Sequence, residues 1–311
     1  MSGARAHEQG AVLITGASSG IGEALAQVFA RNGHRVILHG RSKSRLEAVA
    51  CTIAHETGCA PCVLPIDLAA DRGASALIEA LRSAQLTPRY IVNNAGAGLF
   101  GRADKLDIDQ QCALIELNCR SLTEVTLRLL PGAVAQRGGI LNVGSLGGFF
   151  PGPGMAVYFA TKAYVQSFTQ GLREEFRDRP LHVTALCPGP VPTRFQASSG
   201  MVAARLPRLL RVDADRVALC GYAGLMRNRA VVVPGLFNLV MALGSGLIFH
   251  RASVPFVRKF HLGRSSRTTR TRRNPAALPN APLLPFNATS EREPIPQSVD
   301  LRAQPRREVG S

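Results

Sequence analysis

The stretch Ala11-Val-Leu-Ile-Thr-Gly-Ala-Ser-Ser-Gly-Ile-Gly22 decides the architecture. It opens on a short apolar run and closes on three glycines, Gly16, Gly20 and Gly22. The residues that follow place Leu25, Val28 and Phe29, together with Ile21, at helical spacing. The reading is strand, glycine turn, helix. Glycines let the backbone approach a pyrophosphate closely, and the helix after the turn presents free N–H groups at the positive end of its dipole.

Outward from this unit, a second apolar run, Arg35-Val-Ile-Leu-His-Gly40, stops just before Arg41. In a dinucleotide site the adenosine ribose is read here. An acidic residue takes the 2′-hydroxyl of NAD, whereas an arginine suits the 2′-phosphate of NADP. Lys43 and Arg45 follow Arg41, and no Asp or Glu occurs before Glu47. NADP(H) is expected in preference to NAD(H); the plainer alternative is a solvated basic loop. Further short apolar runs at 62–66, 90–92, 139–143, 182–187 and 230–233 complete a set of seven with 11–15 and 35–39. They alternate with helical segments and are nearly continuous in apolar character, which predicts an α/β doubly wound parallel sheet. Ligands of such sheets sit at the carboxyl ends of the strands.

A second signal lies in Tyr158-Phe-Ala-Thr-Lys162. On a helix, positions i and i+4 share a face, so phenol and ammonium can serve one site. A phenol of pKa about 10 is a poor acid–base group at neutral pH. A cation beside it favours phenolate and lowers that value. A serine hydroxyl, Ser145, could hold a substrate oxygen next to the phenol. Taken alone, Tyr-x-x-x-Lys is most often an exposed helix face.

Taken together, these segments resemble the short-chain dehydrogenase/reductase family. Thr-Gly-x-x-x-Gly-Ile-Gly at 15–22 matches its phosphate turn, and Asn-Asn-Ala-Gly at 93–96 its central strand-end motif. Asn118, Ser145, Tyr158 and Lys162 match its four catalytic positions. Pro-Gly-Pro-Val-Pro-Thr at 188–193 matches the loop that closes over the nicotinamide, with a proline before Thr193 as a modest departure. The resemblance spans roughly residues 10 to 235. Val231-Val-Val-Pro-Gly235 followed by an apolar segment is similar to the DltE-like bacterial reductase branch, and to lipid- and steroid-acting members.

The resemblance implies a Rossmann fold and an NAD(P)-dependent oxidoreductase that passes hydride to or from a carbonyl or secondary-alcohol carbon. Tyr158 would be the general acid or base, and Lys162 would lower its pKa and hold the nicotinamide ribose. Ser145 would orient the carbonyl oxygen, and Asn118 would keep a water in a proton relay. Gly16, Ser18, Gly20, Ile21 and Gly22 would cradle the phosphates. Arg41, Asp67 (at the adenine), Asn94, Ala95, Gly96, Val191 and Thr193 would complete the cofactor cleft. The family also implies a homodimer or homotetramer built through the helices carrying Asn118 and Tyr158. A catalytically silent nucleotide-sensing or scaffold protein on the same fold is the alternative, and the intact Asn-Ser-Tyr-Lys set argues against it.

The expected organisation is a flexible N-terminus at 1–9, one catalytic domain at 10–235, an apolar helical extension at 236–263, and a basic, proline-rich disordered tail at 264–311. A substrate lid is expected at 194–217. Its apolar residues, among them Phe195, Met201, Val202, Leu206 and Leu209, suit a lipophilic substrate or simply an amphipathic helix. The extension is too short after Pro234-Gly235 to cross a bilayer, leaving a packed helix or peripheral contact with an anionic membrane surface. Seven scattered cysteines without a secretory segment predict a reducing cytoplasm. Cys59-Ala-Pro-Cys62 precedes a strand and lacks the helix N-terminus that would activate a thiolate. No metal is expected, since no His/Cys cluster has ligand spacing. The net charge of +16 invites a nucleic-acid reading, but no aromatic stacking platform accompanies it, so no nucleic acid is expected.

Overall fold

The computed structural model describes residues 10–193 and 211–245. Residues 1–9, most of the expected lid (194–210) and the whole of 246–311, with the expected tail, lie outside the described residues. Seven strands form one parallel sheet: β1 (Ala11–Thr15), β2 (Arg35–Gly40), β3 (Cys62–Pro65), β4 (Tyr90–Asn93), β5 (Gly139–Val143), β6 (His182–Leu186) and β7 (Val231–Val232). Their order is β3-β2-β1-β4-β5-β6-β7. The order reverses between β1 and β4, and the crevice beyond that switch point is where sheets of this type hold dinucleotides. All seven strands fall where the apolar runs predict them, although β7 has contracted to two residues.

Around the sheet lie α1 (Gly20–Arg31), α2 (Lys43–Thr57), α3 (Gly73–Ser83), α4 (Ile108–Ile115), α5 (Leu122–Ala135), α6 (Ala156–Glu175), α7 (Ala214–Met226) and α8 (Leu236–Gly244). The strands read as continuous apolar runs because helices cover both faces. β1 shows the division: Val12 and Ile14 enter one core with Leu25, Phe29 and Leu38, while Leu13 enters the other with Ile37, Leu77, Ile91 and Ile140. Successive residues of a strand point to opposite faces, so one apolar run serves both cores.

A buried polar chain crosses the middle of the molecule. Asn93 and Asn142 are register partners on β4 and β5. Asn93 Nδ2 donates to Asn142 Oδ1 and to Thr126 Oγ1, each at 2.8 Å, and Asn142 Nδ2 donates to Thr169 Oγ1 at 2.9 Å. All four side chains are buried. A satisfied bond of this kind stabilises by about 1 kcal/mol, whereas a lost partner costs about 1–3 kcal/mol, so the chain fixes one mutual placement of β4, β5, α5 and α6. That placement carries the residues described next.

Candidate active site

The first wall of the site is the turn between β1 and α1. Gly16 and Gly20 have positive φ of 66° and 61°, a region that costs other residues strain. A Cβ on Gly16 would lie 2.9 Å from Ala95 Cα, and one on Gly20 would lie 2.9 Å from Thr193 Cγ2. A Cβ on Gly22 would collide with the Gly16 carbonyl oxygen and Asn94 Nδ2. Ser19, at the N-cap of α1, makes no side-chain capping bond, so the first-turn N–H groups face outward at the positive end of the helix dipole. This side-chain-free cradle fits a pyrophosphate.

Asn94 braces it: its Nδ2 donates to Thr15 O at 3.0 Å and to Gly16 O at 3.1 Å. Thr15 Oγ1 accepts from Asn94 N and Ala95 N at 3.0 and 2.9 Å, tying the ends of β1 and β4 together. Ser18 lies beside Gly40, and Arg41 is exposed at the end of β2. Asp67 sits beyond β3, its Oδ1 accepting from Ala69 N at 3.0 Å. Val191 is buried and Ile21 packs on the same core, while Thr193 rests on Gly20. Burial pushes His39, on β2, down to about 4, against the opposing influence of the Ile66 backbone and the Asp67 charge, so a neutral imidazole underlies this end of the sheet.

Asn118, Ser145, Tyr158 and Lys162 come together beyond β4 and β5. Asn118 lies in a π-helical turn, Glu116–Ser121, inserted between α4 and α5. Asn118 Oδ1 accepts from Ala97 N at 3.0 Å; its Nδ2 donates to Ala97 O at 3.0 Å and to Thr161 Oγ1 at 3.1 Å. The amide N–H groups thus hold the loop after β4 against α6. Gly96 closes the gap, since a Cβ there would lie 3.1 Å from Asn118 Oδ1 and 3.6 Å from Lys162 Nζ. Ser145 follows β5; its Oγ accepts from Gly147 N at 3.0 Å, and Gln166 Nε2 holds its carbonyl at 3.0 Å.

Lys162 is buried, donates to Val143 O at 2.9 Å, and has its Nζ 5.9 Å from the centroid of the Tyr158 ring. Burial pushes Lys162 down to about 8, against the neighbouring Cys187 and Cys119, and no ion pair involves it among the described residues. Burial pushes Tyr158 up to about 12, with a hydrogen bond to Ser145 pulling the other way. The sequence led us to expect the reverse, a phenol lowered by Lys162. Burial disfavours the phenolate, and the phenol is neutral at pH 7. Cys187, beside Lys162, is pushed up to about 12 by burial and adds no charge. Next to Tyr158 a small pocket is lined by Leu99, Gly101, Leu106, Gln111, Leu114 and Met155.

Among the described residues no group of His, Cys, Asp and Glu could hold a metal ion. The seven cysteines are free, and burial pushes the Cys62 thiol up, away from thiolate chemistry. The π turn, the Asn93–Asn142 chain and His39 were missed in the sequence. Only the paired Asn93-Asn94 hinted at the second.

Comparison with known proteins decides the identity of this arrangement. The short chain dehydrogenase family model matches residues 10–201, more than half of the chain. The chain belongs to the short-chain dehydrogenase family. This dehydrogenase is 36% identical over 187 residues to sulfoacetaldehyde reductase 2 of Chromohalobacter salexigens, a match covering 59% of this chain and 73% of that protein. It is 37% identical over 183 residues to the NADP-dependent 3-hydroxy acid dehydrogenase YdfG of Salmonella typhi, covering 57% and 71%. A solved short-chain dehydrogenase from Sphingobium yanoikuyae, in complex with NADPH, superposes with a TM-score of 0.68 at 31% identity, covering 85% of this chain and 98% of that one. The chain is accordingly an NAD(P)-dependent oxidoreductase of the CH–OH/C=O type. None of these three relatives places it in the DltE-like branch.

Proposed function

We propose that this dehydrogenase uses NADPH to reduce a ketone or aldehyde carbonyl on a lipophilic substrate, with Tyr158 as the proton donor. What carries this reading is the convergence of Ser145, Tyr158 and Lys162 beside an uncapped, glycine-lined helix N-terminus. The glycine turn would hold the pyrophosphate, and Arg41 would meet the 2′-phosphate, with no carboxylate at the end of β2 to favour a free 2′-hydroxyl. NADP use by YdfG and the NADPH complex of the Sphingobium enzyme support that choice. When bound, the reduced nicotinamide supplies the hydride.

The chain's own residues manage the oxygen. Ser145 donates to the carbonyl oxygen and orients it beside the phenol. As the carbon gains hydride, that oxygen gains negative charge and takes the phenolic proton. A neutral phenol is the form required, and a Tyr158 held near 12 supplies it throughout the neutral range. The phenolate left behind is stabilised by Lys162, which is cationic below about pH 8. One Lys162 N–H goes to Val143 O, leaving two for the nicotinamide ribose. Leu99, Leu106, Leu114 and Met155 beside Tyr158 support an apolar substrate body, whereas two relatives are named for sulfoacetaldehyde and for 3-hydroxy acids.

The test is Tyr158→Phe, with NADPH oxidation followed against a panel of aliphatic, aromatic and steroid ketones. Turnover should fall by about 10²–10⁴-fold while NADPH binding, read by fluorescence, stays within a factor of about two. A variant that keeps most of the wild-type rate contradicts the assignment.

A further inference from the structure

Five of the ten exposed large apolar side chains among the described residues lie on the nine residues of α8. Leu236, Val240 and Leu243 are 79%, 59% and 69% exposed, and their four- and three-residue spacing aligns them on one face, flanked by Phe237 and Leu239. The other face is seated in the protein. Asn238 and Ala242 are buried, and Asn238 Nδ2 donates to Pro234 O at 2.9 Å. The Asn238 amide fills the place where a Cβ on Gly189 would stand. α8 also packs against Leu146–Phe149, the turn that follows Ser145. A helix with a bare apolar face is therefore fastened to two segments that border the candidate active site.

The surrounding sequence supplies the charge. Between Asp215 and Glu291 the sequence has no Asp or Glu, while eleven Arg and Lys residues occur there, eight of them beyond residue 245 and outside the described residues. α8 is itself uncharged. An apolar face in an acid-free, cationic sequence complements an anionic lipid surface: the aliphatic side chains enter the acyl boundary and the cations remain with the headgroups. A second copy of the chain would carry the same net positive charge, +16, which favours an anionic surface over self-association. Nine helical residues span roughly 14 Å, far short of a bilayer core, so the contact is peripheral.

We propose that the exposed face of α8 docks the protein on anionic bilayers, so that its carbonyl substrate is drawn from the lipid phase. The docking stands independently; the substrate source rests on the lipophilic reading above. The test is co-sedimentation of the full chain with vesicles of phosphatidylcholine, alone or mixed with phosphatidylglycerol. The wild type should bind the anionic vesicles at least about ten-fold more tightly, and binding should weaken as salt is raised. The triple variant Leu236→Ser, Val240→Ser, Leu243→Ser should lose at least about ten-fold in vesicle affinity with unchanged NADPH binding. Wild-type vesicle binding by that variant overturns the proposal, as it would locate the attraction in cationic segments alone. A variant that turns a dimer into a monomer by light scattering, with no vesicle effect, assigns the face to a second copy and also overturns it. Vesicle binding that depends on α8, without faster reduction of a bilayer-dissolved long-chain ketone on anionic vesicles, leaves the docking standing and removes the substrate source.

Discussion

Lys162 and Tyr158 are perturbed in the directions that burial imposes, one down to about 8 and the other up to about 12. For Lys162 the consequence is a stability cost with a definite sign. Its ordinary value is 10.5, so below pH 8 it is charged in both folded and unfolded chains, and the folded state bears the full burial penalty. Between pH 8 and 10.5 the unfolded chain binds more protons, and stability rises with pH. Lys162→Met should therefore be more stable than wild type at pH 7, and its advantage should shrink by about 1 kcal/mol by pH 9. Urea unfolding at the two pH values checks this; a constant or growing difference contradicts it. The spacing of Tyr158 and Lys162 made their shared face legible in the sequence, but not the sign of the phenol's shift. Spacing reveals neighbours along one helix, whereas burial of the phenol depends on how other segments pack against that helix, which the spacing does not carry.

At the scale of elements, the glycines of the phosphate turn are set by backbone collisions, and those of exposed helix are not. Gly22→Ala would drive a methyl group into the Gly16 carbonyl and the Asn94 amide, both held by hydrogen bonds to each other. It should destabilise the protein by about 1–3 kcal/mol and weaken NADPH binding. Gly171, in α6, has open space where its Cβ would be. Gly171→Ala should stabilise by roughly 0.5–1 kcal/mol and leave NADPH binding alone. Thermal melts with and without NADPH distinguish the two, and equal effects would refute the argument. The strands and the glycine turn were readable because each is a local pattern: a doubly covered strand is apolar throughout, and a phosphate turn needs its glycines close together. The π turn at Glu116–Ser121 has no such pattern. It is tied to Asn118 bridging Ala97 and Thr161, partners 21 and 43 residues away. Asn93 and Asn142 likewise meet across 49 residues.

At the scale of the whole molecule, the seven-stranded sheet gathers the expected site residues at the carboxyl ends of its strands, around the reversal between β1 and β4. Charge is distributed very unevenly, with the acid-free sequence beginning after Asp215 and the exposed face of α8 within it. Lid residues 194–210 and the basic tail fall outside the described residues, and with them most of the expected substrate-facing wall. No helix among the described residues is long and apolar enough to cross a membrane. The NADPH site proposed above can be tested by a fluorescence titration of the purified full chain with NADPH and NADH, repeated on Arg41→Ala. NADPH should bind at least about ten-fold more tightly than NADH, and Arg41→Ala should remove most of that difference. Equal affinities would contradict the role given to Arg41, and a folded chain that binds neither nucleotide would contradict the enzyme itself.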